Sequence, residues 1–385
     1  MQKNSMHPLI DQEKQKLARR YKRDRRLINI LSYAVGALFL FILLYFQLSE
    51  KLVHLLRALF PVRFFYLLGY FAVIYTVYSL LTLPLAYLSD YKIEHKYHFS
   101  TQNFKAWCSD WLKSFLITFI LGAVIFETIY FIIHTSPRFW WFWLSLVMIL
   151  FTVILANIFP VVILPLFYKT SPLDDEELEG KIKELCKKAG IHIKEISSID
   201  LSSKSTKANA AVVGLGNTKR ILLGDTLMKN FTNREILCAL AHEITHYREH
   251  HIWWLIFWQS LITMGTFYVF FIISPYFYML CGFKTVSDPA GFPLFVIIFS
   301  MISLIIKPLG SSISRYYERR ADKGALLLTE DPESFINLMA KFCNQQLVIA
   351  YPNPIIEWYS YTHPSPGRRI DFTEKWQKSL NFCCR

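Results

Sequence analysis

The chain has 385 residues, of which 53% are hydrophobic and only 18% are charged. This balance excludes an ordinary soluble enzyme and predicts a membrane protein. The net charge of +13 fits basic surfaces that face anionic lipid, so we do not predict nucleic-acid binding.

Six predominantly apolar segments are long enough to cross a bilayer as helices. They are residues 27–48, 64–89, 114–134, 139–168, 252–281 and 290–306. The stretch 51–63 is too short to add a seventh span. The predicted fold is therefore predominantly α, a multi-pass helical bundle of about six spans embedded in a lipid bilayer.

Basic residues between Lys14 and Arg26 precede the first span, which predicts a cytoplasmic N-terminus. Four spans within residues 1–168 then return the chain to the cytoplasm. Residues 169–251 form a polar block there, and two further spans within 252–308 bring residues 309–385 to the same side. The membrane is predicted to be a bacterial inner membrane or the endoplasmic reticulum, and the sequence leaves both open.

The polar block 169–251 predicts a small α+β domain. A helix over 172–189 has acidic residues in its first turn and stops before Gly190, which suits the helix dipole and a glycine C-cap. Residues 191–201, 210–215 and 220–223 have strand patterns, and 216–219 has the composition of a hairpin turn.

The pentapeptide 242–246, HEITH, is the most informative motif of this domain. Thr232 and Glu235 predict a capping box at the start of a helix, on which His242 and His246 share one face. Two histidines at this spacing are typical zinc ligands, and Glu243 between them is placed to act as a general base. The alternative is a surface helix whose polar residues face solvent.

A zinc hydrolase needs a third protein ligand. His250 and His251 follow HEITH closely, but on the same helix they bend back to the metal only with difficulty. We expect them to be interfacial or capping residues, and a supporting role at the metal site is the less favoured alternative. Glu318 is the better candidate, with Asp322 one turn later as a carboxylate that orients a ligand histidine. Taken alone, both would be predicted as a solvated charged face.

Several motifs in this order resemble the type I CaaX prenyl proteases and, more distantly, the HtpX-type membrane proteases. The resemblance covers most of the chain from about the second span onward. It is carried by IEHKYHF at 93–99, ILPLF at 163–167, Asn209-Ala210 with Gly214, HEITH, the segment 318–322, and THP at 362–364 with Arg369.

The resemblance implies one zinc ion per chain, held by His242, His246 and Glu318, with Glu243 activating water and Asp322 supporting a ligand histidine. It also implies that His363 and Arg369 stabilise the oxyanion or anchor the substrate. On the residues alone, His363 before Pro364 predicts a turn.

The same resemblance implies that Asn209 and Ala210 begin an edge strand that pairs with an extended peptide; the alternative is a plain hairpin strand. Four features depart from the family pattern. The residues after Ala210 are not aromatic, Thr245 replaces a common glycine, Arg319 replaces a common aromatic residue after the ligand glutamate, and the spans number six rather than seven.

The predicted function is an integral-membrane zinc endopeptidase whose active site faces the cytoplasm. Its partners are peptide or protein substrates, with prenylated CaaX proteins as the candidate class. Two alternatives remain open. One is a quality-control protease of membrane proteins, and the other is a non-catalytic membrane scaffold that retains a zinc site.

Overall fold

The computed structural model describes residues 6–214 and 219–383, and most of these residues are helical. The helices are α1 (Gln12–Tyr45), α2 (Leu48–Leu59), α3 (Arg63–Ala86), α4 (Glu94–Lys96), α5 (Phe104–Thr135), α6 (Trp140–Ile158), α7 (Glu176–Ala189), α8 (Asp225–Asn230), α9 (Asn233–Arg248), α10 (His251–Leu280), α11 (Phe292–Thr329), α12 (Pro332–Gln345), α13 (Pro354–Ser360) and α14 (Pro366–Cys383).

Six helices are long and apolar enough to cross a membrane, as the sequence predicts: α1, α3 with its continuation through α4, α5, α6 with its continuation to Leu166, α10 and α11. Two of them extend well beyond the predicted apolar segments, because hydropathy marks only their apolar parts. Thus α1 begins at Gln12 and α11 runs to Thr329. With 12 residues, α2 is about 18 Å long and shorter than a bilayer core.

The start of α1 packs against the segment that follows α12. The side-chain amide of Gln15 donates to the carbonyl of Val348 at 3.0 Å and accepts from the amide of Ala350 at 2.9 Å. Gln15 is buried, so this contact is part of the fold. The N-terminal segment and the C-terminal part of the chain therefore lie at the same end of the bundle.

A four-stranded sheet follows α6 at that end, in the order β1-β2-β4-β3. Its strands are β1 (Thr170–Pro172), β2 (Glu195–Ile199), β3 (Ala210–Val213) and β4 (Arg220–Gly224). The predicted antiparallel pairing of β3 with β4 is present, and β2 adds to β4 in parallel. The strand β1 was not predicted, and the predicted turn at 216–219 lies outside the described residues except at Lys219. In this order, β3 is an edge strand.

One buried apolar cluster joins the sheet to α7, α9, α11 and α12. The helix α7 begins at Glu176, behind the N-cap Asp175, and ends at Gly190 with a positive φ of 70°. Asp175 caps the amide of Leu178 and delays the helix relative to its predicted start at 172. This core fixes α9 and α11, the two helices that carry the HEITH motif and Glu318.

Candidate active site

The helix α9 presents the HEITH motif, and its start is fixed by the predicted capping box. The backbone amide of Thr232 donates to Glu235 Oε2 at 2.7 Å, and the amide of Glu235 donates to Thr232 Oγ1 at 3.3 Å. Lys341 of α12 bonds the same carboxylate at 2.7 Å. The cap satisfies backbone donors and sets which face of α9 carries His242 and His246.

The helix α11 crosses close to α9 at Gly324. A Cβ atom at this position would lie 2.3 Å from Thr245 Cγ2, so the absence of a side chain at Gly324 leaves the room that the Thr245 side chain occupies. Thr245 itself is buried, and its hydroxyl donates to the carbonyl of Ala241 at 2.7 Å. Thr245 stands where the family commonly has a glycine, and here the glycine lies on the facing helix, at position 324. This close contact lies on the same two helices that carry His242 and Glu318.

Three ligand atoms converge between α9 and α11. His242 Nε2 lies 3.2 Å from His246 Nε2 and 3.1 Å from Glu318 Oε2, and His246 Nε2 lies 3.5 Å from Glu318 Oε1. Tetrahedral ligands at the usual zinc distances stand about 3.3 to 3.6 Å apart. Glu318 Oε2 is buried and accepts no hydrogen bond among the described residues. The three side chains therefore fit a single metal ion.

Asp322 and Arg369 support His242 from the protein interior. The Nδ1 atom of His242 lies 2.9 Å from Asp322 Oδ1, and Arg369 Nε bonds both oxygens of Asp322 at 3.1 and 3.0 Å. Burial disfavours a charged imidazole, but the carboxylates of Asp322 and Glu318 outweigh it and raise the pKa of His242 to about 9. The carboxylate orients the ring with Nε2 towards the other ligands.

His246 is supported differently, by His251. The chain breaks between α9 and α10 at His250, which has a positive φ of 56°. His251 is buried and points back, with its Nδ1 atom 3.3 Å from His246 Nδ1 and its Nε2 atom 3.1 Å from Glu249 Oε2. The prediction that HEITH and His251 share one continuous helix is therefore wrong.

A consistent proton arrangement follows from these contacts. If His246 offers Nε2 to a metal, its Nδ1–H donates to His251 Nδ1, and His251 then donates from Nε2 to Glu249. Arg320 completes the chain by bonding Glu249 Oε2 at 2.8 Å. In the sequence, the signal for this support was Glu249 and His251 shortly after HEITH. This signal can be interpreted only when the helix break at His250 is known.

A cavity of about 620 Å³ opens beside the ligands. Its lining includes His242, Glu243, His363 and the start of the edge strand at Asn209 and Ala210. Burial, together with nearby Glu318, raises the pKa of Glu243 above the usual value of a carboxyl group. The predicted catalytic carboxylate and the predicted substrate-binding strand thus lie at one cavity.

His363 and Arg369 occupy different positions in this cavity. His363 is largely exposed and its Nε2 atom lies 3.3 Å from Glu318 Oε1, at the open side of the ligand cluster. Arg369 lines the cavity too, but it is engaged with Asp322 and lies 3.3 Å from His242 Nδ1. The geometry favours Arg369 as a residue that holds Asp322, while His363 is free to face a substrate.

Two family models match nearly the entire chain. A model described as the CAAX prenyl protease N-terminal domain with five membrane helices matches residues 3–169. The model of peptidase family M48 matches residues 172–377. The second match contains the HEITH motif, Glu318, Asp322 and His363, so the ligand cluster falls within the peptidase part.

Similar proteins cover almost the same length. YhfN, an uncharacterized metalloprotease of Bacillus subtilis, is 29% identical over 363 residues, which cover 93% of this chain and 85% of that protein. CAAX prenyl protease 1 of Saccharomyces cerevisiae is 28% identical over 392 residues, or 94% of this chain and 86% of that protein.

The fold agrees with these matches. The crystal structure of S. mikatae Ste24p matches with a TM-score of 0.84 at 26% identity, covering 97% of this chain and 92% of that one. The resemblance inferred from the sequence motifs is confirmed. The chain belongs to peptidase family M48 and is a multi-pass membrane metalloprotease.

Proposed function

We propose that the protein is a zinc endopeptidase in which His242, His246 and Glu318 hold the metal. The observation that carries this proposal is the convergence of their three ligand atoms, with a buried Glu318 oxygen that has no hydrogen bond among the described residues. A mixed nitrogen and oxygen ligand set at this spacing is typical of catalytic zinc. The M48 family implies a metal cofactor, and zinc is the ion that this ligand set fits best.

The chemistry is hydrolysis of a peptide bond. Zinc, when bound, supplies a Lewis acid that lowers the pKa of water and polarises the scissile carbonyl. Glu243 accepts a proton from the attacking water and delivers it to the leaving amine. His363, at the open side of the cavity, donates a hydrogen bond to the oxyanion that forms on the carbonyl.

The substrate binds as an extended strand along β3. Asn209 and Ala210 line the cavity, and β3 pairs with β4 on only one side among the described strands. Main-chain hydrogen bonds to a free sheet edge hold a peptide with little dependence on its sequence. This supports an endopeptidase whose selectivity comes from other parts of the cavity.

The proposed substrate class is prenylated CaaX proteins, from which the enzyme removes C-terminal residues. Similarity to yeast CAAX prenyl protease 1 over 94% of this chain supports this class, and so does the Ste24p-like fold. Quality control of membrane proteins is the alternative. A panel of a prenylated CaaX peptide, its unprenylated counterpart and an unfolded membrane protein separates the two, because only the first class requires the prenyl group.

The mechanism is tested with the variant Glu243→Gln in the full-length, zinc-loaded protein. Loss of the general base should reduce kcat by about 10²- to 10⁴-fold, while zinc content stays at one ion per chain. Turnover is measured with the substrate panel and zinc by elemental analysis. The matched control is Glu177→Gln, an exposed carboxylate on α7, which should leave both quantities unchanged. Unreduced turnover of Glu243→Gln would refute the assignment.

We further propose that the active site faces the cytoplasm of a bacterial inner membrane or the cytoplasmic side of the endoplasmic reticulum. The basic residues of α1 lie at the same end as the ligand cluster, and positive charge favours the cytoplasmic side.

Cys281, exposed at the opposite end of α10, should then face the non-cytoplasmic side. In intact cells or sealed vesicles of known orientation, a membrane-impermeant thiol reagent should label Cys281 from the non-cytoplasmic side only. The variant Cys281→Ser is the control, and labelling from the cytoplasmic side would reverse the topology.

A further inference from the structure

One cationic side chain in the lining of the active-site cavity forms no direct ion pair among the described residues. Lys22 of α1 lines the cavity together with His242, Glu243 and His363. Lys22 is exposed, and no carboxylate of the described residues lies within 4.0 Å of its ammonium group; Glu94 acts on it electrostatically from a longer distance. An ammonium group that lines a substrate cavity without a direct ion pair has donors available for an anionic group of the substrate.

The neighbouring acidic group is already fully used. Glu94 Oε1 accepts from Tyr21 at 2.7 Å and from Arg25, and Glu94 Oε2 accepts from Lys207 at 2.7 Å. Arg25 also lies 3.7 Å from Asp90. These two carboxylates form direct ion pairs with Arg25 and Lys207, and Glu94 acts on Lys22 only at longer range. The ammonium group of Lys22 therefore keeps its hydrogen-bond donors available at the cavity lining.

The other charged groups of the cavity do not compete for the same anion. Arg369 is engaged with Asp322, and His242 faces the ligand cluster. Glu243 is the only acidic side chain of the lining. The start of α1 is held rigidly, because Tyr21 is buried against Tyr97 at a ring-centroid distance of 5.0 Å. Lys22 is therefore presented from a fixed helix rather than from a loop.

We propose that Lys22 binds the C-terminal carboxylate of the substrate and so selects peptides that are cleaved close to their C-terminus. This rests on the proposed peptidase function of the same cavity. Three extended residues span at most about 10 Å, so the terminal carboxylate of a peptide cut three residues from its end must be met within the same cavity. Of the two permanent cations in the described lining, Arg369 is engaged by Asp322, so Lys22 is the one left for the carboxylate.

The test compares two peptides that differ in one group, a prenylated CaaX peptide with a free C-terminal carboxylate and the same peptide with a C-terminal carboxamide. In the wild-type protein, kcat/KM should favour the carboxylate by about 10- to 100-fold, the range of a charge-assisted hydrogen bond. In Lys22→Gln this preference should disappear through a higher KM for the carboxylate peptide. Lys22→Arg should retain most of it.

The matched control is Arg20→Gln, which removes a positive charge from an exposed position of α1 away from the cavity. It should leave the preference unchanged. If Lys22→Gln keeps the wild-type preference, or lowers cleavage of both peptides equally, the proposal is overturned. The second result would point instead to a structural contact or to lipid headgroups near the membrane surface.

A binding measurement separates this proposal from the catalytic one. In the Glu243→Gln background, the dissociation constants of the released tripeptide and of its amide are measured with and without Lys22→Gln. The tripeptide should bind more tightly than its amide only when Lys22 is present. Equal binding of the two overturns the proposal even if the enzyme cleaves the peptide panel. If the tripeptide binds in a Lys22-dependent way but the wild-type enzyme does not cleave the peptide panel, only the proposed substrate class is overturned.

Discussion

The two ligand histidines stand four residues apart on α9, yet the protein supports them in opposite ways. His242 contacts a buried carboxylate directly, and the side chains of Asp322 and Arg369 are only 2% and 12% exposed. His246 contacts a second imidazole, followed by Glu249 at 31% and Arg320 at 51% exposure. One support is an interior ion pair, and the other leads to the surface.

This difference follows from where each ring lies. Asp322 is one turn from Glu318 on α11, inside the close contact at Gly324, so a charge placed there must be paired. His246 lies near the end of α9, where the break at His250 opens the structure to solvent. A neutral histidine can bridge from the interior to an exposed carboxylate without burying a charge. Thus a buried charge with its own buried partner supports His242, and a buried neutral ring that contacts a more exposed carboxylate supports His246.

The largest effect should come from removing the interior support. Asp322→Ala should lower zinc affinity by close to 100-fold, because His242 loses the acceptor that orients its ring. It should also lower the free energy of unfolding by about 3 to 5 kcal/mol, since Arg369 is left buried without its partner. Zinc affinity is measured by competition with a chromophoric chelator, and stability by thermal unfolding.

Glu333→Ala is the control for this variant, because it removes an exposed carboxylate from the same C-terminal part. Zinc affinity and stability should both stay at wild-type values. If Asp322→Ala retains wild-type zinc affinity, then the interior ion pair serves folding alone, and the contrast between the two supports does not concern the metal.

Much of this architecture could be predicted from local patterns. The lengths of the apolar runs predict the six spans. The pair Thr232 and Glu235 predicts the start of α9, and the spacing of the histidines in HEITH predicts that they share one face of this helix. Glu318 and Asp322 could be paired with this motif because α11 continues unbroken from its apolar part. Apart from the pairing of Glu318 with HEITH, which depended on a zinc site needing a third ligand, each of these signals lies within one helix. Within a helix, the spacing in sequence determines the spacing in space.

Contacts between elements could not be predicted in this way. The break at His250 uses a positive φ in a residue other than glycine, and it depends on the packing of His251 against Tyr317 at a ring-centroid distance of 5.0 Å. Similarly, Thr245 is explained only when Gly324 is seen opposite it. A single sequence gives no pairing between such distant positions, so the support of His246 became visible only in three dimensions.

The smaller effect should come from the support that leads to the surface. His251→Phe keeps an aromatic ring against Tyr317 but removes the acceptor for His246 Nδ1–H, which is then buried without a partner. Zinc affinity should fall by about 10-fold. The loss of folding stability should be smaller than for Asp322→Ala, because no buried charge is left without a partner. The same chelator competition and thermal unfolding measure both quantities. His251→Gln, which restores an acceptor, should recover part of the affinity.

Arg320→Gln sets the lower end of the comparison. Its ion pair with Glu249 is exposed, and such pairs contribute about 0 to 1 kcal/mol, so zinc affinity should change by no more than about 5-fold. Asp322 and His251 are equally buried, but only Asp322 carries a charge there, whereas Arg320 is exposed. The order Asp322→Ala, His251→Phe, Arg320→Gln therefore places the buried charge first, the buried neutral ring second and the exposed charge last. A loss for His251→Phe as large as that for Asp322→Ala would break this order. It would mean that the direct hydrogen bond to the ligand ring determines metal affinity, independently of the charge and burial of the group behind it.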